Sequence, residues 1–120
     1  MTSSPFGRVL TAMVTPMTAD GEADPAGTDA LVDHLLPTGH DGIVVNGTTG
    51  EASTLTDDES VEMMRRVKER AGDRAAVVAG VGSNDTRHAV HMARRAADVG
   101  ADALLLVSPY YNKPTQPGLI

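Results

Sequence analysis

The sequence contains no cysteine and no tryptophan, and its aromatic side chains are limited to one phenylalanine and two tyrosines. Without cysteine the chain can form neither a disulfide framework nor a thiolate metal site, which favours a reducing, cytoplasmic location. So few aromatic rings also leave no stacking platform for nucleic-acid bases. The two tyrosines, Tyr110 and Tyr111, are adjacent, which is conspicuous in a chain so poor in aromatic residues.

Positive charge and long apolar runs are also scarce. Lys and Arg number 10 against 16 Asp and Glu, so the formal net charge is -6 and nothing favours binding to phosphates. The longest apolar runs, residues 75–79 and 103–107, are far shorter than the ~20 residues of a membrane helix. The N-terminus lacks the apolar core of a signal peptide. We therefore expect no nucleic-acid partner, no membrane and no export.

Four short apolar runs recur along the chain and predict buried strands. Their hydrophobicity is continuous rather than alternating, which is typical of a parallel sheet covered by helices on both faces. The predicted strands are residues 9–14, 43–45, 75–79 and 103–107.

Three segments between these runs carry the start and stop signals of helices. Each opens with a residue type that caps helix N-termini, and each closes at a glycine, which readily adopts the left-handed conformation. The second has a capping box, with Thr56 and Glu59 three residues apart. The predicted helices begin at Asp24 with Pro25, at Thr56, and at Asp85 or Thr86, and they end near Gly39, Gly72 and Gly100.

Strands and helices therefore alternate, and the strands start at intervals of about 30 residues, the length of one strand–helix unit. With 120 residues, 41% of them hydrophobic, the chain has enough core for one domain and not for two. The predicted fold class is α/β: four parallel strands and three helices, the N-terminal half of a (β/α)8 TIM barrel, truncated before a fourth helix. Residues 1–120 would then form a partial barrel domain. A flavodoxin-like domain is less favoured, because no phosphate loop follows the first strand.

The functional residues of such folds lie mainly in the loops at the carboxyl ends of the strands. After the second strand, Thr48 and Thr49 lie between Gly47 and Gly50. This spacing indicates a tight turn that presents consecutive N–H groups and two hydroxyls, a nest suited to a small carboxylate. In the alternative interpretation, the glycines only shape the turn and the threonines bond local backbone.

Other residues offer weaker signals for chemistry. Tyr110 and Tyr111 carry phenols that can pass protons, and because neighbouring side chains point in different directions we expect only one to do so. His88 and His91 are three residues apart on the third predicted helix, but no carboxylate partner is evident. We expect no metal site and no cofactor.

Four segments in matching order resemble the dihydrodipicolinate synthase family of pyruvate-dependent class I aldolases: residues 12–17, 47–52, 79–84 and 108–114. The resemblance implies a lyase of the diaminopimelate route to lysine, in which pyruvate forms a Schiff base with a lysine and condenses with L-aspartate semialdehyde. It implies that Thr49 binds the pyruvate carboxylate and that Thr48 and Tyr111 are catalytic members of a proton relay. Tyr111 would reach into a neighbouring subunit, so a full-length protein would be a homo-oligomer.

The resemblance also implies that the Schiff-base lysine, a further relay tyrosine and a substrate-binding arginine lie beyond Ile120. Two alternatives remain open. One is another pyruvate-dependent lyase of the same family, of the N-acetylneuraminate lyase or keto-deoxy-sugar-acid aldolase type. The other is an inactive truncated product that self-associates through the open edges of its sheet.

Feedback-inhibited members of the family bind lysine at the dimer interface. Of the residues implied, the chain keeps Asn84 and Tyr110, but it has His88 in place of a glutamate and Asp57 in place of a histidine. Because a cationic ligand loses a carboxylate partner at His88, we expect weak inhibition by lysine.

Overall fold

The computed structural model describes residues 4–120, which form a parallel four-stranded sheet and three α-helices. The elements are β1 (Leu10–Ala12), α1 (Pro25–Leu35), β2 (Gly42–Val45), α2 (Asp57–Ala71), β3 (Ala76–Gly80), α3 (Thr86–Asp98) and β4 (Ala103–Leu105). Short 3-10 turns lie at Leu36–Thr38, Ala52–Thr54 and Gln116–Leu119. The strands lie in chain order, each parallel to the next, so every helix connects two adjacent strands.

All three helices begin where the sequence predicts. The side chain of Asp24 caps α1, and Asp85, rather than Thr86, caps α3. At α2 the capping box is complete: the Thr56 hydroxyl accepts the Glu59 amide hydrogen at 3.3 Å, and the Glu59 carboxylate accepts that of Thr56 at 2.8 Å. The Thr56 hydroxyl also donates to the Glu59 carboxylate at 2.8 Å, and the bonds that this carboxylate accepts from the Thr56 amide and hydroxyl lower the pKa of Glu59.

The first helix ends slightly earlier than expected. Its α-helical part stops at Leu35 and continues as the turn Leu36–Thr38, after which Gly39 takes a left-handed conformation with φ of 89°. Pro37 within this turn has no amide hydrogen with which to continue an α-helical ladder. Gly72 and Gly100 also have positive φ where the second and third helices end.

The core lies between the helices and one face of the sheet. Ile43 and Val45 of β2 and Val77 and Ala79 of β3 alternate along their strands, are fully buried and point toward the helices. Val44, which alternates with them, is only half-buried. The prediction of helices on both faces is therefore wrong for residues 4–120, where the helices cover a single face. The helical residues in this core are Val32, Leu35, Met63, Met64, Val67, Ala71, Met92 and Ala96.

The outer strands are shorter and more exposed than predicted. Hydrogen-bonded pairing covers only part of the runs at residues 9–14 and 103–107, and Leu10 and Leu104 are 39% and 42% exposed. The physical reason is position: within residues 4–120, β1 and β4 each have a strand on one side only. No helix among these residues has the length and apolarity required to span a bilayer.

Asp102 ties the start of β4 to its neighbours. Its carboxylate accepts a hydrogen bond from the Val77 amide at 2.8 Å and another from the Lys68 ammonium group at 2.9 Å. Burial raises the pKa of Asp102, but the bonds from Val77 and Lys68 outweigh it, so the pKa lies below its usual value. Lys68 is thereby engaged in an ion pair that links α2 to the sheet.

Candidate functional site

The loops that follow β2, β3 and β4 meet at the carboxyl edge of the sheet and, with residues of α2 and α3, line a half-open cavity of about 600 Å³. Polar side chains from different elements converge there, as this edge of a parallel sheet favours. The polar side chains that line it include Thr48, Ser53, Asp57, Ser60, His88 and Tyr110.

Asn46 fixes the loop after β2, and sequence reasoning missed it. It is 3% exposed, has a φ of 57°, and donates from Nδ2 to the carbonyl oxygen of Ser60 at 2.7 Å. A Cβ at Gly80 would lie 2.0 Å from the Asn46 carbonyl oxygen, so only glycine lets β3 pass this close. The available signal was an asparagine directly after an apolar run and directly before a glycine.

The threonine turn is tight, as predicted, and hydrogen bonds between its own backbone groups close it. The N–H of Gly50 donates to the carbonyl oxygen of Gly47 at 3.0 Å, and the N–H of Glu51 donates to the carbonyl oxygen of Thr48 at 3.0 Å. The amide hydrogens of Gly50 and Glu51 therefore close the turn itself, and the nest for a small carboxylate stays a prediction. The side chains of Thr48 and Thr49 are exposed.

A threonine from the first strand's loop anchors this turn. The Thr15 hydroxyl is buried and donates to the carbonyl oxygen of Gly50 at 2.7 Å. A Cβ at Gly50 would lie 3.3 Å from that hydroxyl oxygen, so glycine permits the close approach. The loops after β1 and β2 are thus held together beneath Thr48 and Thr49.

The two tyrosines after β4 point in different directions, as expected for adjacent residues. Tyr110 lines the cavity, whereas Tyr111 is 96% exposed. Of the three residues predicted for the site, Thr48 lines the cavity and Thr49 lies beside it in the exposed turn. Within one chain, Tyr111 projects into solvent.

Tyr111 occupies an unusual backbone conformation. Its φ is 69°, and the amide hydrogen of Asn112 bonds the Tyr110 carbonyl oxygen at 2.9 Å across it. A hydrogen bond between residues two apart around a positive φ is a γ-turn of the rare, strained kind. Conformations of this sort cost about 1–3 kcal/mol and persist only where surrounding contacts hold them.

His88 has a carboxylate partner that was not evident from the sequence. Its Nε2 lies 2.9 Å from Oδ1 and 3.0 Å from Oδ2 of Asp57, the first residue of α2. Asp57 therefore serves the cavity as well as the helix N-terminus. Among residues 4–120 no three His, Cys, Asp or Glu side chains come together as a metal site would need. The lysine response expected at Asp57 and His88 stays a prediction.

Four parallel strands in chain order, with a cavity at their carboxyl edge, form the first part of a (β/α)8-barrel fold. Residues 5–120 match the model of the dihydrodipicolinate synthetase family. The chain belongs to that family, as the motifs at its strand ends indicated.

Individual relatives agree with this assignment. The chain is 59% identical over 97% of its length to 4-hydroxy-tetrahydrodipicolinate synthase 2 of Streptomyces coelicolor and 57% identical over 98% to the synthase of Acidothermus cellulolyticus. It spans 39% and 38% of the lengths of these relatives.

Solved structures extend the likeness to three dimensions. The crystal structure of a dihydrodipicolinate synthase from Bacillus anthracis superposes with a TM-score of 0.92 at 47% identity, over 95% of this chain and 39% of that one. The enzyme of Acinetobacter baumannii, crystallised with pyruvate, gives a TM-score of 0.90 at 46% identity, over 92% and 38%. The described residues therefore correspond to the N-terminal half-barrel, as predicted.

Proposed function

We propose that this chain carries the N-terminal part of the active site of a 4-hydroxy-tetrahydrodipicolinate synthase. That lyase condenses pyruvate with L-aspartate semialdehyde through a Schiff base, a step toward diaminopimelate and lysine. The observation that carries the proposal is the convergence of the threonine turn after β2 and the tyrosine turn after β4 at one edge of the sheet. Membership of the family and the names of the similar relatives support it.

In this proposal Thr49 binds pyruvate. Its exposed hydroxyl donates a hydrogen bond to the pyruvate carboxylate, and the anchored turn keeps that hydroxyl at a fixed position. Because hydrogen bonds to charged groups are worth about 1.5–3 kcal/mol, one hydroxyl makes a measurable difference to affinity.

Thr48 and Tyr111 supply the relay. Formation of the imine releases water from the pyruvate keto group, and removal of a methyl proton then gives the enamine that attacks the aldehyde. Hydroxyls both donate and accept, so a threonine and a tyrosine in line can carry these protons. The 96% exposure of Tyr111 supports a role in the site of a second subunit and hence a homo-oligomer.

The amine comes from a lysine outside residues 1–120, which form a partial barrel domain in this proposal. No cofactor is needed, because the protonated imine itself withdraws electrons from the adjacent carbon. A small-molecule biosynthetic reaction of this kind also fits a cytoplasmic enzyme without a nucleic-acid or membrane partner.

The proposal is tested by the intact mass of the natively produced protein, before and after treatment with pyruvate and borohydride, which traps an imine. We expect a mass above the 12.5 kDa of this chain and a pyruvate adduct that requires borohydride. A longer protein that forms no adduct would contradict the proposal.

A matched pair of variants tests the role of Thr49 in the adduct-forming protein. Thr49→Val removes the hydroxyl at nearly constant volume and should raise the pyruvate concentration for half-maximal trapping about tenfold or more. Thr49→Ser keeps the hydroxyl and should stay close to the unmodified protein. Equal behaviour of both variants would show that the hydroxyl does not bind pyruvate.

A further inference from the structure

A side chain from another loop holds the turn that carries Tyr111. Asn84, between β3 and α3, donates from Nδ2 to the carbonyl oxygen of Tyr110 at 3.1 Å. Its Oδ1 accepts the amide hydrogen of Tyr110 at 2.8 Å. A side-chain amide carries donors and an acceptor in one plane, so Asn84 satisfies both polar groups of the Tyr110 backbone at once.

These two bonds act at the base of a strained turn. Tyr111 and Lys113 have φ of 69° and 46°, a region that residues other than glycine rarely adopt. The bond from Asn112 that closes the turn ends on the Tyr110 carbonyl oxygen, which also accepts from Asn84. Without Asn84, the backbone of an exposed loop could bond water instead and relax to an ordinary conformation.

We propose that Asn84 is a positioning residue that fixes the turn at Tyr111 and thereby sets the direction of its phenol. Asn84 contacts the backbone of Tyr110, so it acts on the relay through the loop and not on substrate. The consequence for catalysis rests on the proposed function, in which Tyr111 passes protons. The effect on the loop itself does not depend on that function.

The composition of the chain makes this loop easy to observe. Tyr110 and Tyr111 are its only tyrosines, so fluorotyrosine incorporation gives fluorine NMR signals from this turn alone, and Tyr110→Phe assigns them. Amide hydrogen exchange, also measured by NMR, reports on the Tyr110 amide, whose hydrogen bonds to Asn84 directly.

Three variants of the 120-residue chain separate the possible outcomes. In Asn84→Ala the Tyr110 amide should exchange about tenfold faster, and the Tyr111 fluorine line should narrow, because a loop released from Asn84 moves faster than the whole molecule tumbles. Asn84→Asp keeps an acceptor for the Tyr110 amide hydrogen and should restore most of the protection. Asn112→Ala, which removes an exposed amide from the same loop, should leave the exchange of Tyr110 unchanged.

Two results would overturn the proposal. One is unchanged exchange and fluorine signals in Asn84→Ala. The other is loss of protection throughout β2 and β3 in that variant, which would make Asn84 a general stabiliser of the fold. Neither result bears on pyruvate trapping, and a failure to trap pyruvate would leave the loop measurement intact, so the two proposals fail separately.

Discussion

At the scale of single residues, the capping box of α2 shows how a few atoms set a helix boundary. The Thr56 hydroxyl and the Glu59 carboxylate each accept a backbone amide hydrogen that the first turn would otherwise leave without a partner. The helix begins at Asp57 as a result, which places Asp57 opposite His88 and Ser60 against Asn46. One cap therefore shapes the wall of the cavity.

Thr56→Ala should lower the free energy of unfolding by about 1 kcal/mol, the usual contribution of an N-cap side chain. Thr56→Ser keeps the hydroxyl and should lose little. Urea unfolding followed by circular dichroism measures both, and equal losses in the two variants would refute the capping role.

At the scale of elements, the ends of β2 and β3 lie so close together that a side chain added at their contact would push them apart. Gly80 lies against the backbone of Asn46, whereas a Cβ at Gly47 would meet its nearest neighbour at 3.7 Å, an ordinary contact. The two glycines flank the same crossing and differ only in available space.

Gly80→Ala should therefore destabilise the chain by about 1–3 kcal/mol or more, because the strand ends must move apart. Gly47→Ala should change the free energy of unfolding by less than about 1 kcal/mol, since the added methyl group has room. Denaturant titrations of both variants provide the comparison. A tolerant Gly80→Ala variant would show that the crossing is looser than the distances imply.

At the scale of the whole molecule, several carboxylates stabilise the folded state only while ionised. The amide hydrogens of Arg8 and Val9 lower the pKa of Asp41, and Glu59 and Asp102 also have lowered pKa values. At acidic pH the unfolded chain binds protons at these groups before the folded chain does, so acidification favours unfolding.

The melting temperature should therefore be constant near neutral pH. It should decrease once the pH drops below about 4, as the pH passes through the lowered pKa values. Asp41→Asn should melt at a lower temperature near neutral pH and lose less on acidification than the unmodified chain. Thermal unfolding across a pH series measures this, and a melting temperature that rises with acid would contradict it.

The two open edges of the sheet lead to a second prediction for the whole molecule, which concerns self-association. Leu104 and Leu106 are 42% and 63% exposed, and β1 and β4 each have one neighbouring strand among the described residues. Unpaired edges with apolar side chains promote pairing between chains. We expect the 120-residue chain to self-associate as its concentration rises.

Leu106→Lys should shift this association to higher concentration, because a charge on the edge opposes pairing. Ala30→Lys, on the exposed surface of α1, adds the same charge elsewhere and should have little effect. Light scattering after size-exclusion chromatography measures the mass. A monomer at all concentrations would contradict the expectation.

The sequence by itself determined the order of the elements and the starts of the helices. Asp24, Thr56 and Asp85 act within a few residues of their own positions, so local chemistry was sufficient to find them. It also placed the threonine and tyrosine motifs at one edge of the sheet, because the carboxyl ends of parallel strands share that edge.

Only the tertiary structure decided which distant groups meet. Asp57 with His88, Asn46 with Ser60 and Asn84 with Tyr110 are 31, 14 and 26 residues apart, and no local pattern specifies such pairs. The prediction of a half-barrel implied open edges at β1 and β4. The apolar runs did not show how exposed the side chains of these strands are, because burial depends on what packs against a strand as well as on its own side chains. Residue type determined the local elements, whereas packing determined the contacts between them.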